Sequence, residues 1–179
     1  MTEPIRLFVS SSPDLAPERE ALGQAVAELW VSVGWEIKHT PRPGEDLDEA
    51  LGFLARCDLF LVVLGADFAA PTTFQRRHSD GAPTTFQRRH SDGAPIGLEW
   101  RRALSGGKQA LAYRKRVLHS SSAQQLLGEW DVAWTAFETP QELKAHATQA
   151  LAQTLLDRGE EFGLHLDDVE GLMGLVEAE

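Results

Sequence analysis

Three consecutive hydroxyl side chains, Ser10, Ser11 and Ser12, stand between an apolar run (Ile5, Leu7, Phe8, Val9) and a stretch, Pro13–Arg19, that opens a helical pattern. A short apolar strand followed at once by a helix is the opening of a βαβ unit. Folds of that kind bind ligands at the carboxyl ends of their strands, which here is the serine turn. Ser12 or Asp14 can cap the helix, and Pro13 or Pro17 suits a first turn whose amides have no partner inside the helix. Hydroxyls and free amides at a helix start suit a phosphate or another anion. The same residues serve equally well as a plain cap and turn. Arg42, in the loop Pro41–Glu45 (PRPGE), is expected at the carboxyl end of the second strand, within reach of such an anion or simply solvated.

Other chemistries are poorly served. A single cysteine, Cys57, allows no internal disulfide and no multi-cysteine zinc site, and points to a reducing compartment. None of the six histidines stands at metal-ligand spacing with carboxylates, so no metal is expected. There is no nucleophile elbow of the G-x-S-x-G type. Gly106-Gly107-Lys108 lacks the preceding spacing and the Ser/Thr of a phosphate-binding P-loop. The net charge of −10 argues against nucleic acid as a partner. No apolar run approaches the roughly 20 residues of a membrane span, and the first residues lack a signal-peptide pattern. The expectation is a soluble, cytoplasmic protein.

The elements that must position these residues follow from periodicity. Leu22, Val26, Leu29 and Val33 mark an amphipathic helix over 16–33, stopped by Gly34. Trp35–Thr40 reads as a strand nearer an edge than the first. Asp46 caps a helix with Glu49 as its capping-box partner and a stripe of Leu47, Leu51 and Leu54. Residues 58–65 (DLFLVVLG) are apolar on both faces, as a central parallel strand must be. A helix over 97–104 presents Leu98 and Ala103 or Leu104 to the sheet and ends at Gly106-Gly107. Gln109–Tyr113 is a strand with Arg114, Lys115 and Arg116 at its end, and Ser120–Leu127 a short helix. The last strand is Asp131–Phe137. Thr139-Pro140-Gln141-Glu142 starts a helix carrying Leu143, Ala147, Leu151 and Leu155. Five strands alternating with helices predict an α/β three-layer sandwich with a parallel sheet.

Two segments stand outside that frame. Ala70–Gly81 and Ala82–Gly93 are both APTTFQRRHSDG, identical at every position, a recent duplication or an engineered insertion rather than a structural repeat. With Pro and Gly in each copy they are expected to form a long exposed loop, with Arg76, Arg77, Arg88 and Arg89 as a local basic patch. Residues 159–179 form an acidic tail with a second apolar pattern (Leu166, Val169, Leu172, Met173, Val176). It reads as a helix docked on the domain at 1–158 or on a partner, or as the start of further sequence.

VSSSPDLAPER, CDLFLVVLG and GLEWRRALSGGKQALAY, in that order, resemble a bacterial TIR-like domain family of unknown function, found at the N-terminus of many multidomain signalling (STAND-type) NTPases. The matching positions are Ser10-Ser11, Asp14-Leu15 and Glu18-Arg19, then Glu99, Ala103 and Gly107-Lys108-Gln109, then Phe137, Pro140 and Glu142-Leu143. The resemblance covers about residues 5–157 without the repeat. It implies a flavodoxin/TIR-like fold, in a superfamily with nucleoside deoxyribosyltransferases whose active members use a glutamate on this helix against the ribose of NAD or a nucleoside. It therefore implies Glu99 as catalytic carboxylate, Ser10, Ser11, Ser12, Asp14 and Arg42 around a bound nucleotide, and NAD as substrate, with no resident cofactor. The alternative it leaves open is a non-catalytic module that self-associates or recruits other domains of a larger signalling protein.

Overall fold

The computed structural model describes residues 3–12, 14–42, 44–67, 74–77, 83–86 and 95–177. The chain is an α/β three-layer sandwich built on five parallel strands, β1 (Ile5–Ser11), β2 (Trp35–His39), β3 (Leu59–Leu64), β6 (Ala110–Lys115) and β7 (Trp134–Phe137), in the order β2-β1-β3-β6-β7. Counted within the sheet this is the 2-1-3-4-5 order of flavodoxin-like folds. β3, from the most apolar run, lies at the centre with all six residues buried, and β2 is an edge.

Strand alternation divides the core. Leu7, Val9, Leu61, Val63 and Tyr113 face α1 (Ala16–Glu28) and α5 (Pro140–Asp157), meeting Leu22, Val26, Leu143 and Leu151. Phe8, Phe60, Val62, Leu64 and Ala112 face α2 (Leu47–Arg56), α3 (Pro95–Ser105) and α4 (Ser121–Glu129), meeting Phe53, Ile96, Trp100 and Leu126. Phe60 tilts against Trp100, which stacks on Trp130 at 4.2 Å, and Trp130 stacks on Trp134. These indoles pack the core and its rim. Trp30 is the opposite case, 87% exposed.

Several boundaries differ from the sequence reading. β1 runs through Ser11, so the first two serines are strand residues rather than a turn. α1 ends at Glu28, well before Gly34, because Trp30 adopts a left-handed φ of 37° that turns the chain while Leu29 and Val33 both reach the core. α1 has no side-chain cap at its N-cap residue, Leu15, although Pro17 occupies the first turn as expected. Asp46 does cap α2, accepting from the amides of Asp48 and Glu49, while the Glu49 carboxylate pairs with Lys38 instead of completing a box. α3 turns Ile96, Glu99, Trp100 and Ala103 inward and leaves Leu104 outside. It closes on Gly107, whose φ of 67° admits bonds from Gly107 N to Leu104 O and from Lys108 N to Ala103 O.

The duplicated segment is not all loop. β4 (Phe74–Arg77) in the first copy pairs antiparallel with β5 (Pro83–Phe86) in the second, Phe74 opposite Phe86. Thr and Phe favour strands, and tandem copying places two such stretches five residues apart, a hairpin spacing. Arg88, Arg89, His78 and His90 lie outside the described residues, as do the side chains of Arg76 and Arg77.

Beyond α5, a short helix α6 (Gly159–Phe162) leads to α7 (Leu166–Glu177), which packs on α5 with Leu172 fully buried. Asp168 fastens its start, accepting from the amide and hydroxyl of Ser32, each at 2.7 Å, and from the His165 amide at 2.9 Å. These contacts hold the Asp168 carboxyl below its ordinary range, the Ser32 hydroxyl bond contributing most. Among the described residues no helix is long and apolar enough to cross a membrane. Leu172→Ala should cost about 2–5 kcal/mol, as for other buried leucines. Denaturant unfolding would measure it, and the amides of α7 should lose hydrogen-exchange protection before those of α5.

Candidate functional site

The carboxyl end of β1 is polar where the rest of the strand, Arg6 apart, is apolar, because Ser10, Ser11 and Ser12 are all buried there. Alternation sends Ser10 toward α3 and Ser11 toward α1. The Ser10 hydroxyl donates to Glu99 Oε2. Thr40, the residue after β2, is brought alongside by the parallel register that sets Val9 against His39. Its hydroxyl donates to the same oxygen at 2.9 Å and accepts from the Ser11 amide at 3.0 Å. One carboxylate oxygen thus joins a helix to two strands.

Glu99 itself is 0% exposed, and its second oxygen, Oε1, is buried with no hydrogen-bond partner among the described residues. Burial pushes its pKa up from 4.5 to about 7, against the opposing pull of the Ser10 and Thr40 hydroxyls. Near neutral pH the group therefore exchanges a proton readily, which suits general acid–base or charge-stabilising work. Glu99 is the fifth residue of α3, held inward by its neighbour Trp100 in the core, so placement at the first turn of a helix dipole does not account for it.

Ser12 and Asp14 do not cap α1. The Ser12 hydroxyl accepts from the Gly65 amide at 2.9 Å, and Asp14 Oδ2 from the Ala66 amide at 3.3 Å, tying the end of β1 to the end of β3. The free amides after β3 compete successfully for these acceptors. From the other side His119 Nδ1 donates to the Gly65 carbonyl at 2.9 Å, the Ser120 amide to the Ala66 carbonyl at 2.9 Å, and the Ser120 hydroxyl to Asp67 at 3.0 Å. Gly65 is required, since a Cβ there would fall 2.6 Å from Asp14 Oδ2 and 2.8 Å from Ser12 Oγ.

Arg19, in α1, donates to the Ser11 hydroxyl at 3.4 Å and the Ser12 carbonyl at 3.1 Å. Arg42 is exposed at the carboxyl end of β2, where burial first, and then the charges of Arg19 and Arg42, lower the His39 pKa. Its guanidinium joins neither Ser10 nor Glu99. The structure thus unites Ser10 with Glu99, sets Ser11, Ser12 and Asp14 around them as supports, and leaves Arg42 outside. Thr40 and Gly65 were missed, because their roles depend on strand register, which the sequence does not display. Among the described residues no group of three His, Cys, Asp or Glu could hold a metal ion.

No protein-family model and no curated protein matches the chain.

Two outcomes test this geometry. Folded Glu99 keeps a proton that the unfolded chain releases, so its contribution to stability is complete below pH 4.5 and is lost as pH rises to about 7. The loss is on the order of 3 kcal/mol. Melting temperatures across that window should fall in the parent and stay flatter in Glu99→Gln. Separately, Gly65→Ala should destabilise by about 1–3 kcal/mol through overpacking against Ser12 and Asp14, read by denaturant unfolding.

Proposed function

We propose that this chain is a TIR-like signalling domain that binds a nucleotide at the carboxyl ends of β1 and β2 and cleaves the N-glycosidic bond of NAD. The observation that carries the reading is the Glu99 carboxyl, with one oxygen held by Ser10 and Thr40 and the other buried without a partner among the described residues. Natural interiors leave few such atoms unsatisfied, and those that remain often mark a site of chemistry.

The reaction suits a carboxylate. As the bond between ribose C1′ and the pyridinium nitrogen breaks, its electron pair neutralises the ring and nicotinamide departs. The ribose becomes oxocarbenium-like, and a carboxylate on its face stabilises that charge, as in glycoside hydrolysis. Water then adds at C1′ and Glu99 receives the proton. Ser10 and Thr40 hold the carboxylate in one orientation, while Ser11, Ser12 and Asp14 shape the floor beneath the ribose and phosphates. Arg42 stands at the mouth, where a phosphate would meet it. The setting is the cytoplasm of a bacterial cell, in a protein that assembles through self-association or neighbouring domains.

A second reading has an observation of its own. Complete burial of Glu99 suits a carboxyl that ties α3 to β1 and β2 in a non-catalytic interaction module.

Nicotinamide release by the concentrated protein decides between them. Catalysis predicts turnover that falls at least about a hundredfold in Glu99→Gln and Glu99→Ala, consistent with loss of a positioned acid–base group. The ionised carboxyl is the active form, so the rate should climb with pH and level off above about 7. No turnover at any protein concentration, with self-association unchanged in both variants, would establish the interaction module.

A further inference from the structure

Tyr113, the chain's single tyrosine, lies on the face of the sheet away from Glu99 and is 2% exposed. It lines a cavity of about 330 Å³ together with residues of β7, α5 and the last turn of α7. That volume falls within the ~300–1,000 Å³ of ordinary small-molecule sites.

The polar groups around it are poorly satisfied. Among the described residues the Tyr113 hydroxyl reaches only the His146 carbonyl, at 3.5 Å, the outer limit of a hydrogen bond. The Gln149 amide meets the Val176 carbonyl at the same distance. His146 Nε2 stands 3.6 Å from Glu142 Oε1, longer than an ordinary hydrogen bond but within ion-pair reach. Thr135, on the edge strand, pairs with β6 through its backbone, and its hydroxyl meets no partner among the described residues. Gln153 gives its amide nitrogen to Asp157, which leaves its carbonyl oxygen for another donor. Burial raises the Tyr113 pKa, so the phenol stays a donor throughout the physiological range.

The lining also sets the charge of the occupant. Among the described residues the lining holds no carboxylate and no permanent cation, so it offers an ion no counter-charge in exchange for its hydration. The Gln149 side chain, with donor and acceptor side by side, matches the edge of a heterocycle as it matches the edge of a base, and the Gln153 oxygen adds an acceptor. Ala150 and Val176 supply apolar surface for its faces.

We propose that this cavity binds a neutral, nucleobase-sized heterocycle through Tyr113 and Gln149, and that the occupant fastens the end of α7 to α5. The site lies on the opposite face of the sheet from Glu99 and does not rest on the catalytic reading. Since Val176 lines the wall, ligand binding and the docking of α7 share one free energy.

The full chain with ¹³C-labelled tyrosine reports from this cavity alone, and adenosine is the probe. Titration to about 1 mM should shift the Tyr113 ring signals saturably and slow hydrogen exchange at the end of α7. Gln149→Leu should weaken binding about tenfold, one lost polar contact, and Ala150→Phe should abolish it by filling the space. Both positions lie on the outer part of α5, and a parent-like melting temperature verifies the fold. Glu99→Gln should bind adenosine as the parent does. Ring signals that never move, or that move equally in Ala150→Phe, overturn the proposal. A shift lost in Glu99→Gln overturns it too, because adenosine would then sit at the end of β1.

Discussion

Everything in this fold depends on a strand with no polar side. All six residues of β3 are buried, so the sheet must be covered on both faces and no two-layer arrangement suffices. Parallel neighbours follow from the same demand, since each crossover lays a helix on one face or the other. β1 and β6 flank β3 directly, and β2 and β7 are left as edges.

That constraint concentrates polarity at one end. Inside the sandwich the side chains of β1 alternate between two apolar cores, and only at Ser10 and Ser11 do hydroxyls replace them. A carboxyl brought to that edge by α3 is removed from water yet has hydroxyls to receive it. Among the described residues the balance is incomplete, because two hydroxyls serve one oxygen and the other has none. A purely structural network is more stable when every member is satisfied, and the incomplete one at Glu99 is the feature that sets this end of the sheet apart from its core.

Much of the fold was legible in the residues. The run from Leu59 to Leu64 identified the centre, and the spacing of Leu143, Ala147, Leu151 and Leu155 identified the buried face of α5. Asp46 and Thr139 cap their helices as their positions suggest. What failed was local chemistry with more than one solution. Ser12 and Asp14 have the right types for a helix cap, but the amides of Gly65 and Ala66, distant in sequence, claim them. α1 ends at a left-handed tryptophan, a choice no propensity would favour. The pairing of Ser10 with Glu99 spans 89 residues, and only the assembled sheet reveals that Thr40 joins them.

The clamp on residues 65–67 has a consequence for how this gene can change. The chain leaves β3 through a turn pinned from both sides, and it re-enters the fold at α3, where Ile96 and Trp100 are seated in the core. Between two fixed ends, added chain length in general costs little, about 0.6 kcal/mol for each doubling. A slip of the replication machinery that copied twelve residues there would leave both ends, and Glu99 between them and the core, where they were. The perfect identity of the two copies is what such an event leaves before drift erases it. This connection is the part of the protein most open to evolutionary experiment, and in sequence it borders the helix that carries the buried Glu99 carboxyl.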